Sequence, residues 1–230
     1  MIPFTQNADG SGTLQGAATI QSNTGAVYIF SPSARNYDPL GNTSSTRNAQ
    51  TIFARGFKEK ISMRMSDGAS WRWRRIVFAT KGLQSFLGAP VYLQTSNGLA
   101  RAMTTLTGTA QATTLSTFLF KGAINLDWNN VFTAKVDTQR VTLISDRSRI
   151  LGSGNTAPRY HQHSQWYPLN KNITYSDDEQ GAGELQNFFS TGSKAGMGDV
   201  FVVDYIDCSD GTPGRTLIFD PECTFYWHEK

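Results

Sequence analysis

The stretch "GASWRWRRIVFATKGL", Gly68 to Leu83, sets two tryptophans and three arginines together and then turns apolar. In a strand, successive side chains point to opposite faces. On that parity Trp71, Trp73, Arg75 and Val77 share one face, and Arg72, Arg74, Ile76 and Phe78 share the other. The first half is mixed in character, whereas "IVFAT" is apolar on both faces. This predicts a strand whose second half is covered on both sides and whose first half projects beyond the core, with Arg72 and Arg74 side by side.

The segment before it gives the complementary pattern. In "TIFARGFKEKISMRMS", Phe57, Glu59, Ile61, Met63 and Met65 alternate with Lys58, Lys60, Ser62 and Arg64. Period two with one basic side describes a half-buried strand with a basic exposed face. The turn signal "SDGA" separates the two strands.

Further strands are expected at "GAVYIFSP" (25–32), "TTLSTFLFKG" (113–122), "QRVTLISDRSRIL" (139–151) and "HSQWYPLNKNITYSDDEQGAG" (163–183), the last running into an acidic loop. "GDVFVVDYIDCS" and "GRTLIFDPECTFYWHEK" close the chain, divided by the strong turn "SDGTPG". One short helix is expected over 127–136, with Asp127 as its cap and Trp128, Val131, Phe132 and Lys135 at helical spacing. About eight strands with long polar loops imply an all-β fold, a single eight-stranded jelly-roll sandwich. The chain is read as one domain over residues 1–230, with 1–22 as an extended N-terminal segment.

The net charge of +3 hides an asymmetry. Between Arg55 and Lys81 there are eight basic residues against two acidic ones; from Asp177 to Lys230 there are eleven acidic against three basic. One reading is a molecule with one face for an anion and another turned elsewhere; the other is chance variation among solvated faces. No run of about 18 apolar residues is present, so no helix is expected to span a bilayer. Cys208 and Cys223 are too few for a disulfide scaffold and are expected as free, buried thiols.

Catalysis finds little support. His161 and His163, two apart, would share one side of a strand, but the third histidine is His228, far along the chain. The acidic run Asp177, Asp178, Glu179 offers hard oxygen ligands, yet a solvated loop explains it as well. "GNTSST" and "GSGN" lack the lysine and helix of a phosphate loop, and no Gly-x-Ser-x-Gly elbow occurs. No enzyme activity, metal or cofactor is expected. Binding is better supported: basic strands interleaved with aromatic rings suit single-stranded nucleic acid, the cations tracking phosphates and the rings stacking on bases. Arg55, Lys58, Lys60, Arg64, Arg72, Trp73, Arg74 and Arg75 are the candidate contacts. For Trp71 and Trp73 a place in the core or at a subunit interface is the competing reading.

Three segments carry a resemblance: "FKEKISMRMSDGASWRWRRIVFATKGL" (57–83), "QWYPLNKNITYSDDEQG" (165–181) and "GMGDVFVVDYIDCSDGTPGRTLIFDPECTFYWHEK" (196–230). In this order they resemble the capsid proteins of genomoviruses, which are small circular single-stranded DNA viruses, and more distantly geminivirus coat proteins. The similarity runs from about Gln50 onward and is weak in the first 45 residues. It implies a single jelly roll assembling as a homo-oligomer into a small icosahedral shell of about sixty copies (T=1). It further implies a virion protein that passes through the host nucleus during assembly, with no membrane partner. The basic surface would face the packaged DNA, giving a task to Arg55, Lys58, Lys60, Arg72, Arg74 and Arg75.

Capsid proteins of this kind usually begin with an arginine-rich arm. Here the first 34 residues contain no Lys or Arg, and a truncated form is the expectation. The alternatives are a single-stranded nucleic-acid-binding sandwich that forms no shell, and a sandwich with a ligand or catalytic site such as a carbohydrate-binding module or metal hydrolase.

Overall fold

The structure is a computed structural model that describes residues 2–6, 12–14, 16–38, 45–95, 98–152, 154–177, 179–180, 183–184 and 187–229. The elements are β1 (Ile2–Gln6), β2 (Gly12–Leu14), β3 (Ala18–Gln21), β4 (Ala26–Phe30), β5 (Thr51–Met65), β6 (Trp71–Thr80), α1 (Leu83–Leu87), β7 (Tyr92–Thr95) and β8 (Gly98–Thr105). They continue with α2 (Ala110–Leu119), β9 (Thr142–Leu151), β10 (Arg159–Thr174), β11 (Glu179–Gln180), β12 (Gly183–Glu184), β13 (Asp199–Cys208) and β14 (Thr216–His228).

Two sheets face each other. One has the order β3-β14-β5-β10; the other contains β4-β13-β6-β9 and continues past β4 through β8, β1 and β2, with β7 beside β8. The antiparallel pairs are nested: β3 with β14, β4 with β13, β5 with β10 and β6 with β9. First pairs with last, second with last but one, and successive pairs alternate between sheets. That winding is an eight-stranded jelly roll. Ala18–Gln21, within the segment expected merely to be extended, is the roll's first strand.

The parity read for β6 holds, but its first half does not project beyond the core: Trp71, Trp73, Arg74 and Arg75 are all buried, and Arg72 alone is exposed. Trp71, Trp73, Val77 and Ala79 join the core between the sheets, with Ile61, Met63 and Met65 of β5 and Leu217 and Phe219 of β14. Ile76 and Phe78 point the other way, into a second core with Leu83, Leu87, Leu115, Leu119, Phe120 and Trp128. Around β6 and β13 this sheet is thus covered on both faces, which is why those strands read as nearly continuous apolar runs, whereas β9 beside β6 stays largely exposed. The β5 sheet is covered on one face only, so β5 alternates.

Two expectations about helices are corrected. Residues 113–122 were expected as a strand, but most of them lie in α2. Leu115, Ser116 and Leu119 form a single buried stripe against the second core. The hydroxyls of Thr114 and Ser116 donate to the carbonyls of Ala110 and Ala112 one turn back, so these residues are satisfied within a helix. With α1, the described residues hold two helices rather than one. Residues 127–136 form turns instead of the expected helix. The Asp127 carboxylate accepts from the Ala123 N–H behind it, not from a helix ahead, and Asn125 takes a left-handed conformation (φ 65°).

Candidate nucleic-acid interface

The eight candidate contacts separate into two groups. Three of them are interior. Arg75 lies between the sheets and donates from Nε and Nη2 to both oxygens of Asp204, each at 2.7 Å, while Nη1 donates to Glu59 Oε2. Trp73 is buried, its indole N–H donating to Asp204 Oδ1 at 2.7 Å. Arg74 is buried on the other side of β6, held by both oxygens of Asp146 (2.9 and 2.6 Å) and by the Val131 carbonyl. The expectation that Trp73, Arg74 and Arg75 contact nucleic acid is therefore corrected: their donors are used by carboxylates within the fold. Arg72 is exposed but engages Asp207 (3.0 and 2.5 Å) and stacks on Phe132 at 4.1 Å. Arg72 and Arg74 do not sit side by side at one surface.

The core cluster carries one guanidinium and two carboxylates. Asp204 accepts two of the three hydrogen bonds that Arg75 gives to carboxylates, so Glu59 is the surplus anion. Burial pushes the Glu59 carboxyl up to about 7, with Arg75 opposing the shift. Its Oε1 has no hydrogen-bond partner among the described residues. The acidic excess near the C-terminus thus meets the basic excess inside the fold, as β13 pairs with β6. Two ion pairs, Arg75–Asp204 inside and Arg72–Asp207 at the surface, join the two segments.

Four cations remain on one surface. Arg55, Lys58, Lys60 and Arg64 are exposed on β5, at the centre of the uncovered face of its sheet. Among the described residues none of the four has a carboxylate within 4.0 Å. The register lays neighbours beside them in rows. Tyr160 and Ile218 flank Arg64, Ser164 and Glu222 flank Lys60, and Trp166 and Thr224 flank Lys58. Asp220 and Glu222 on β14 temper the charge of the middle rows.

The aromatic residues of this face were not singled out from the sequence. Tyr160 is 63 % exposed, and Trp166 and Tyr226 are each 45 % exposed. Trp166 and Tyr226 approach from opposite sides of β5, ring centroids 5.6 Å apart at 62°. They meet over Gly56, which faces Tyr226 and Pro168. Gly56 has φ +151°, and a Cβ there would lie 2.4 Å from the Tyr167 carbonyl oxygen and 2.7 Å from Trp166 Cζ2. The register of both neighbours shifts here, so Arg55 also turns outward after Ala54. The alternation in "RYHQHSQW" puts Tyr160 and Trp166 on one side of β10, but only the pairing reveals that this side adjoins the β5 cations.

The remaining candidates have other roles. His163 Nδ1 lies 2.7 Å from Arg149 Nη1, and burial lowers the pKa of both His161 and His163, with nearby arginines adding to the shift. Asp177 is held by Arg47 through two bonds of 2.5 and 2.7 Å, and the guanidinium covers Tyr175 at 3.8 Å. It is a structural anchor; Asp178 lies outside the described residues. Among the described residues, no three His, Cys, Asp or Glu side chains gather as a metal site. Cys208 and Cys223 are free and lie on opposite sheets, Cys208 buried and Cys223 partly so.

No protein-family model matches the chain, and no curated protein matches it.

Proposed function

We propose that this chain is the structural subunit of a small icosahedral (T=1) capsid enclosing a circular single-stranded DNA genome, as the resemblance of its three segments implies. The observation that carries the nucleic-acid side of this reading is the row Arg55, Lys58, Lys60 and Arg64 on the uncovered face of the β5 sheet. Leaving four cations without ion-pair partners on one face favours binding to a polyanion, because each contact releases condensed counterions from the strand. The jelly roll supports the shell side. It is a two-sheet sandwich whose long loops leave surface for subunit contacts.

The expected inward face is that of β5, with Arg72 at most peripheral. The test is size-exclusion chromatography with light scattering, reading absorbance at 260 and 280 nm together. A megadalton species is expected, its absorbance ratio raised by packaged nucleic acid. A species that stays monomeric across salt and pH, even when single-stranded DNA is supplied, would overturn the shell reading. Monomers that bind that DNA would favour the non-assembling alternative.

A further inference from the structure

We infer that Trp166 and Tyr226 form a base-stacking step on the β5 face: an unstacked base of a single-stranded nucleic acid lies on these rings while its phosphates meet Arg55 and Lys58. The inference rests on the nucleic-acid reading above and narrows it to a place and a ligand group.

The first support is the way the rings are brought together. Trp166 stands opposite Lys58 and Tyr226 opposite Gly56, so the two are diagonal neighbours across β5. Any side chain at position 56 would occupy the space where the indole lies. The backbone conformation there, φ +151°, is one that glycine adopts without strain. An edge-to-face pair leaves ring surface free, and 45 % of each residue is open to solvent.

The second support is that the other tryptophans are used differently. Trp71, Trp73 and Trp128 are buried. Trp227 is half-buried, its N–H donating to Glu229 at 2.7 Å and its ring covered by Phe225 and Arg35. Trp166 alone among the five is more than a third exposed.

The third support is the surroundings. The rings border an open hollow of about 490 Å³, whose rim includes Arg55 and His228. Arg55 and Lys58 have no carboxylate partner among the described residues. A free aromatic step beside unpaired cations complements a strand that offers bases and phosphates in alternation. A duplex hides its base faces within its own stack, so single strands are preferred. Every base has a π face, so no sequence specificity is expected.

The test uses the full chain at a concentration where light scattering reports single subunits. Two probes are compared, oligo(dT) and an abasic oligomer of equal length and charge. Oligo(dT) is expected to bind about 5- to 100-fold more tightly and to quench tryptophan fluorescence, since Trp166 dominates the accessible signal. Trp166→Ala is expected to abolish both the preference and the quench, and Trp166→Phe to keep the preference. Tyr226→Ala, at the other ring, is expected to reduce the preference and provides a second reading should Trp166→Ala fold poorly. Equal, salt-sensitive binding of both oligomers without quenching would overturn the stacking step while leaving the phosphate-binding face intact. Binding of neither oligomer would overturn both.

Discussion

Arg75 and Asp204 stand directly opposite each other on β6 and β13, joined by two bonds of 2.7 Å inside the sandwich. Arg72 and Asp207 repeat the relationship three residues away at the surface. One pair is buried and the other is not, so they should differ sharply in worth. Removing Arg75 leaves two buried carboxylates without a cation, so Arg75→Ala is expected to cost on the order of 3–5 kcal/mol, whereas Asp204→Ala, after which Arg75 still meets Glu59, should cost less. Arg72→Ala should cost under about 1 kcal/mol. Urea denaturation of the three variants measures the contrast; equal losses would contradict it.

The surplus carboxylate sets a pH dependence. Burial raises the Glu59 pKa to about 7, and the groups facing it are Arg75, Asp204, Tyr167 and Cys223. Asp199, also buried, is raised to about 6, against two hydrogen bonds from Ser190. A carboxyl with a raised native pKa binds its proton more tightly folded than unfolded. Its contribution is complete below the unfolded pKa, about 4, and is lost as pH rises through about 6 for Asp199 and about 7 for Glu59. Stability, and the melting temperature with it, should therefore fall as pH rises from about 4 to about 7, by on the order of 3 kcal/mol for Glu59. In Glu59→Gln the fall should flatten; an unchanged slope would show that Glu59 does not carry it.

For the exposed row the prediction concerns salt. Single-strand binding should show a log–log salt slope of about −0.7 per phosphate contact, so four cations give about −3. Lys58→Ala with Lys60→Ala should reduce the slope by about half without altering the unfolding midpoint by more than a degree or two. An unchanged slope, measured by titration at several salt concentrations, would place the contacts elsewhere.

At Gly56 backbone and site coincide. Gly56→Ala would set a Cβ against the Tyr167 carbonyl and the Trp166 ring at a φ of +151°. The cost should be on the order of 1–3 kcal/mol from the backbone alone. The displaced indole should also show as a change in fluorescence maximum. A stable variant with an unshifted spectrum would contradict the close approach.

The second core should depend on α2. Leu115→Ala and Leu119→Ala each remove a fully buried side chain between the helix and the β6 sheet, and each should cost about 2–5 kcal/mol. Calorimetry checks this, and a loss below about 1 kcal/mol would mean the helix is not holding that face.

Much of the roll was legible because a strand's period of two is a local property. The alternation of β5, the two-sided burial of β6 and the closing strands β13 and β14 all follow from which side chains leave water. The parity even separated Trp71 and Trp73 from Ile76 and Phe78, which belong to different cores. Local reading failed where tertiary packing outweighed propensity. The Thr- and Phe-rich segment 113–122 reads as a strand, yet its stripe of Leu115 and Leu119 needed only one buried side.

The arginines mark the boundary most plainly. Arg64, Arg72, Arg74 and Arg75 are alike in sequence: each is a cation in an alternating strand. Whether such a residue meets solvent or a carboxylate depends on which strand lies alongside, and that partner is more than 120 residues distant for Arg72 and Arg75. The same holds for Trp166, Gly56 and Tyr226, drawn from three strands. Composition and periodicity by themselves determined an all-β sandwich with a basic strand. The tertiary structure decided which charges are spent inside it and which aromatic rings stand beside those that remain, because register is a long-range relationship that no local pattern encodes.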